Sequence, residues 1–118
     1  MKIIRKKSGF TLLEIMIAAS IISILAAVAI PNFVKYRNRS REQVCKGNIQ
    51  MIYYALEQYA LDYNLDNGAS VSVANMVSGG FLNSTPTCPS NGASYGATQT
   101  VGTAPTCPAG IAGHSWTP

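Results

Sequence analysis

The sequence predicts an α+β chain. One long N-terminal helix, membrane-spanning in its first half and kinked near Pro31, packs against a small antiparallel sheet. Three observations carry this. From Phe10 to Ile30 the chain runs 21 residues with Glu14 as the single charge. Cys45, Ile49, Ile52, Leu56, Tyr59 and Tyr63 then recur at spacings of 4, 3, 4, 3 and 4, which is one face of an amphipathic helix. Beyond Asp66, short alternating segments are set among glycines and prolines, the pattern of brief strands and turns.

The elements follow in order. Lys2, Arg5, Lys6 and Lys7 precede the apolar run. As a helix, that run spans roughly 31 Å at about 1.5 Å per residue, which matches a hydrocarbon core of about 30 Å. Thr11, Ser20 and Ser23 fit within it, because hydroxyls there bond back to their own backbone. Pro31 lacks an N–H and disfavours helix in the residue before it, so a kink or stop is expected. Lys35, Arg37, Arg39 and Arg41 follow the span, so basic residues flank it almost equally and do not fix its orientation. The downstream cysteines suit an oxidising compartment and place the N-terminus in the cytoplasm.

An ordinary secretory signal is a competing reading, with a small-x-small site at Ala27-Val28-Ala29. Glu14 counts against it, as does Pro31 just past the supposed cut. A plain single-span anchor leaves Glu14 unexplained. A carboxylate at membrane depth costs about 2.5–3.5 kcal/mol, so it usually has a partner, and the span offers no basic residue. A cut between Gly9 and Phe10 would create an α-amine four residues before Glu14, and that amine could neutralise Glu14 of a neighbouring subunit. The alternative is a protonated, lipid-facing Glu14.

The stretch KKSGFTLLE, followed by a long apolar helix and Pro31, resembles the prepilin signature of type IV pilins and type II secretion pseudopilins. The resemblance implies a pilin-like fold and a membrane peptidase that cuts after Gly9 and methylates Phe10. It implies that Glu14 guides subunit addition to a helical filament. Its implied partners are further copies of the chain, minor pilins or pseudopilins, the prepilin peptidase, and an inner-membrane assembly platform with its ATPase. The chain then divides into a removed leader (1–9), a transmembrane and filament-core helix (10–31), a helix passing from exposed to amphipathic (32–66), and a small β-rich head containing cysteines and prolines (67–118). The precursor would sit in the bacterial cytoplasmic membrane with the head outside, and the product in a periplasmic or cell-surface filament.

Charge narrows the function. Nine basic and five acidic residues give a formal +4, but four of the basic residues lie before Gly9. The remainder is balanced, which gives no reason to expect nucleic-acid binding. No Lys or Arg follows Lys46 and no Asp or Glu follows Asp66. This excludes paired-carboxylate catalysis, an acidic calcium loop and a basic phosphate groove from the tail. In residues 32–43, Lys35/Arg39 and Arg37/Arg41 form charged i,i+4 ridges, expected to face solvent or lipid headgroups rather than nucleic acid, or in a filament to face acids on neighbouring subunits.

In the head, residues 69–73 alternate and suggest a strand. Ser72 is placed to cap a helical turn through Val77, ended by Gly79-Gly80. Gly68 is the expected stop of the long helix, after a stripe reaching about Asn64. MVSGGFLNSTPTCP resembles a short helix and Gly-aromatic-Leu segment of major pseudopilins and related pilins. Residues 95–101 alternate again. PTCP occurs at 86–89 and at 105–108. These two stiff turns suggest a Cys88–Cys107 disulfide, worth about 3 kcal/mol in the chain-entropy model. Cys45 reads as a small core residue. Cys45, Cys88, Cys107 and His114 have the ligand types for zinc, but compact C-x-x-C spacing is absent, so no metal is expected and His114 reads as a surface-loop residue. Asn38-Arg39-Ser40 and Asn83-Ser84-Thr85 fit the glycosylation sequon, which carries little weight in a bacterial-type chain.

The reading is a filament-forming structural subunit with no cofactor, a substrate of an enzyme rather than an enzyme. Two family functions compete, a type IV pilin and the major pseudopilin of a type II secretion system. The latter typically carries acidic calcium ligands in its C-terminal loop, and this tail has none, which favours the pilin. The alternative of a different class is a soluble module released by ordinary signal peptidase.

Overall fold

The structure is a computed structural model that describes residues 8–118; Lys2, Arg5, Lys6 and Lys7 lie outside the described residues. The elements are α1 (Leu12–Asp62), β1 (Ser70–Ser72), α2 (Val73–Ser78) and β2 (Thr98–Thr100). β1 and β2 form a two-stranded antiparallel sheet in the register Ser70 to Thr100, Val71 to Gln99 and Ser72 to Thr98. The chain divides into two compact units, one up to Arg37 and one from Asn38 to Pro118. The α+β expectation holds.

In the first unit α1 carries exposed apolar side chains from Leu12 to Val34. It includes a stretch long and apolar enough to cross a membrane, none of it buried within the described chain. Its polar groups are satisfied on its own backbone. Ser20 Oγ donates to the Met16 carbonyl at 2.7 Å and Ser23 Oγ to that of Ala19 at 2.7 Å, as a helix in lipid requires. Pro31 does not stop the helix. It has no N–H for the Ala27 carbonyl, a loss usually tolerated only when the freed groups find other partners. Asn32 Nδ2 donates to the next carbonyl, that of Val28, at 3.3 Å.

In the second unit α1 buries Cys45, Ile49, Ile52, Ala55, Leu56 and Ala60. These meet Val71, Val73, Met76, Leu82, Cys88, Tyr95 and Val101 in one core. The periodic stripe is therefore real through Leu56 and then drifts. Ala60 takes the buried position, and Tyr63 is 57% exposed. Tyr63 stacks on Tyr59 at 4.4 Å, and Tyr59 meets Phe81 edge-on at 5.3 Å.

The stop of α1 lies earlier than Gly68. Asn64 adopts φ 51°, and the Leu65 N–H reaches back to the Ala60 carbonyl at 2.8 Å. This is a Schellman ending with asparagine in the left-handed position usually held by glycine. Asn64→Val should therefore cost about 1–2 kcal/mol, because a β-branched side chain is strained there, and thermal unfolding of the detergent-solubilised chain measures it. The same device closes α2. Ser72 Oγ accepts from the Ala74 N–H at 3.2 Å at its start. At its end Gly80 sits at φ 81° and the Phe81 N–H reaches the Met76 carbonyl at 2.9 Å.

The second strand is shorter than the alternation over 95–101 suggests. Gly96 turns the backbone at φ 105°, and Gln99 Nε2 folds back onto the Tyr95 carbonyl at 2.8 Å. Only Thr98–Thr100 remains as strand. The turn after it is tied to α1, because Glu57 Oε1 accepts from the Gly102 N–H at 2.9 Å.

Candidate functional site

Two constellations emerge. The first opens α1. Ser8, Gly9, Phe10 and Thr11 precede the helix without regular structure and are exposed, with Phe10 at 85%. Among the described residues, no atom beyond its two chain neighbours lies within 4 Å of where a Gly9 side chain would begin. The Gly9–Phe10 bond thus lies in an exposed, non-helical segment.

Glu14 has an intrachain partner that the sequence reading did not anticipate. Its Oε2 accepts from the Thr11 N–H at 2.8 Å and the Thr11 hydroxyl at 3.2 Å, while Thr11 Oγ1 accepts from the Glu14 N–H at 3.2 Å. This is a capping box, in which two otherwise unpaired helix-start donors are satisfied reciprocally. The carboxylate also stands at the positive end of the helix dipole. The signal was present in the sequence as T-x-x-E before an apolar run. Among the described residues, Glu14 Oε1 has no hydrogen-bond partner.

The second constellation lies in the 38–118 unit. The two PTCP turns do bring Cys88 and Cys107 together, with sulfurs 3.9 Å apart. No two of the three cysteines are bonded in the structure; a disulfide would hold the sulfurs about 2.05 Å apart. Cys45 is the small core residue expected, fully buried, but it does not stand apart from the other two cysteines. Its sulfur, the Cys107 sulfur and a His114 ring nitrogen all lie within 4.8 Å of one another, with Cys107 Sγ 3.8 Å from His114 Nδ1.

Nor is His114 a surface-loop residue, since only 6% of it is exposed. The C-terminal segment is held on α1 by Trp116, whose ring lies 5.4 Å from that of Tyr53 and 5.8 Å from that of Tyr54. Non-periodic loop sequence gave no sign of this packing.

Electrostatics differ across the cluster. Burial pushes the Cys45 thiol up to about 11, although the Tyr95 hydroxyl donating to its sulfur at 3.2 Å opposes this. Burial also raises the Tyr95 phenol, and its bond to Cys45 adds to that. Burial would raise Cys88 too, but backbone N–H groups of Ser90 and Asn91 favour its thiolate and bring it below the ordinary thiol value.

A membrane-grade helix opened by a capped carboxylate, with a small two-stranded head borne by the same chain, defines a pilin-like class. The family model described as the prokaryotic N-terminal methylation motif matches residues 4–30. The chain is 46% identical over 54 residues to the type IV major pilin protein PilA of Myxococcus xanthus, covering 46% of this chain and 24% of the relative. It is 43% identical over 58 residues to the type II secretion system core protein G of Pseudomonas aeruginosa, covering 49% of this chain and 41% of the relative. It is 32% identical over 83 residues to the competence protein ComGC of Bacillus subtilis, covering 70% of this chain and 82% of the relative. No solved structure matches. The chain belongs to the family of type IV pilins and type II secretion pseudopilins. It spans less than half the length of the first two of these relatives.

Proposed function

We propose that this chain is a structural subunit of a type IV pilus-like filament. It is made as a membrane-anchored precursor, cut between Gly9 and Phe10, methylated on Phe10 and docked through Glu14. Its partners are other pilins and a membrane assembly machinery. The observation that carries this is the unpacked apolar stretch of α1, exposed from Leu12 to Val34 and preceded by an open segment at Gly9–Phe10. Such a surface has two stable environments, lipid before assembly and the helices of other subunits after it. The absence of any Asp or Glu beyond Asp66 favours a pilus over a calcium-bearing secretion pseudopilus.

The test is the intact mass of the subunit from sheared filaments and from membranes. The expected species begins at Phe10 and is one methyl group heavier than the unmodified chain. A mature N-terminus at Ile30 would instead assign the segment to ordinary signal peptidase and overturn the filament reading.

A further inference from the structure

The geometry points to a closed zinc site in the 38–118 unit, with Cys45, Cys88, Cys107 and His114 as its four ligands. The four come from separate parts of the chain, α1, the two PTCP turns and the C-terminal segment. Their donor types, thiolate sulfur and imidazole nitrogen, are those of structural Cys3His zinc sites.

Two of the spacings match a tetrahedron. With Zn–S of about 2.3 Å and Zn–N of about 2.0–2.1 Å, ligand sulfurs stand about 3.8 Å apart and sulfur from nitrogen about 3.6 Å. The Cys88–Cys107 separation is 3.9 Å and the Cys107–His114 separation is 3.8 Å. Cys45, Cys107 and His114 lie within 4.8 Å of one another, and Cys88 adjoins this group through Cys107, so the fourth ligand needs a small inward shift to close the site. A disulfide would need the Cys88 and Cys107 sulfurs to close by about 2 Å. It would also leave the Cys45 thiol and the His114 nitrogen packed against it with no role.

The surroundings suit a structural metal. Cys45 is 0% exposed, Cys88 1% and His114 6%, while Cys107 is half-buried, so the site is closed on all sides but that of Cys107. The Tyr95 hydroxyl donates to the Cys45 sulfur at 3.2 Å and takes an amide N–H from Asn48 at 3.4 Å, the kind of outer hydrogen bond that orients a ligand. Binding would release one proton from each of the three thiols, leaving a site of net charge −1. Arg41 and His114 line the same shallow cleft. The gain for the fold is clear. This unit has one six-residue helix and two three-residue strands beyond α1, and no regular element after Thr100. Small domains with so little regular structure need a staple.

The test uses the full chain, extracted in detergent without reductant or chelator, and does not depend on filament assembly. Metal analysis should find about one zinc per chain. Intact mass after denaturation should show three thiols, which alkylate in the native protein only after a strong chelator is added. Exchange with Co2+ should give thiolate charge-transfer absorption and the intense visible bands of tetrahedral cobalt. His114→Cys should keep tight binding and shift those bands, whereas His114→Ala should weaken it by more than tenfold. Tyr95→Phe should lose about tenfold in affinity through misorientation of Cys45. A metal-free chain two hydrogens lighter, with Cys88 joined to Cys107, would overturn the proposal. So would zinc bound equally well by the Cys88→Ser/Cys107→Ser variant.

Discussion

Replacing Glu14 by valine should leave the chain made, inserted and cut, yet all but remove it from filaments. A spanning helix without an acid inserts more readily, so the loss would arise after insertion. Two roles for the side chain predict it. In one, Glu14 closes the capping box with Thr11 and its loss frays the helix start. In the other, it pairs with the Phe10 amine of a neighbouring subunit, where either group left alone and buried costs about 3–5 kcal/mol.

Glu14→Gln separates these roles. Glutamine also serves in a capping box but carries no charge. If pairing governs assembly, the Gln variant falls with the Val variant, by more than about tenfold in the sheared fraction relative to the membrane fraction. Normal filament yield from the Gln variant would confine Glu14 to helix capping. The free Oε1, unpartnered among the described residues while Oε2 is engaged within the chain, is the atom available to a neighbour.

Truncating Leu56 to alanine should destabilise the 38–118 unit by about 2–5 kcal/mol, the range for a buried leucine whose cavity cannot fully collapse. Leu56 is 0% exposed and belongs to the single core shared by α1, the sheet and the head. Tyr63→Ala is the matched control. It lies on the same sequence stripe but is 57% exposed, so it should lose only its stack on Tyr59, about 0.5–1.5 kcal/mol. Trp116 fluorescence in the detergent-solubilised chain reports both, since Trp116 is the only tryptophan and packs on Tyr53 and Tyr54. Equal losses at the two positions would mean that the apolar spacing, rather than the observed packing, describes the core.

The sequence by itself determined what depends on neighbours a few residues apart. The apolar run, with Glu14 as its one charge, gave a helix long enough to cross a bilayer, because helix rise and bilayer thickness are fixed lengths. The 4-3-4 spacing gave the buried face through Leu56, because the helical period is fixed. Ser72 and Gly79-Gly80 gave α2 with its ends, because capping is local chemistry. The Thr11–Glu14 box was legible by the same rule but lay behind the family motif; the helix end near Asn64 was expected, with the stop assigned to the more conventional Gly68 instead of to Asn64 itself.

Tertiary structure alone decided what joins distant residues. Glu57 meets Gly102 across 45 positions and Tyr95 meets Cys45 across 50. His114 enters the core beside Cys107 although GHSW has no periodic pattern to announce burial. In segments without regular structure, burial is set by which long-range contacts offset the entropy of ordering the loop. The docking of Trp116 on α1 and the convergence of three sulfurs and an imidazole are contacts of that kind, and they exist only once the whole head has closed.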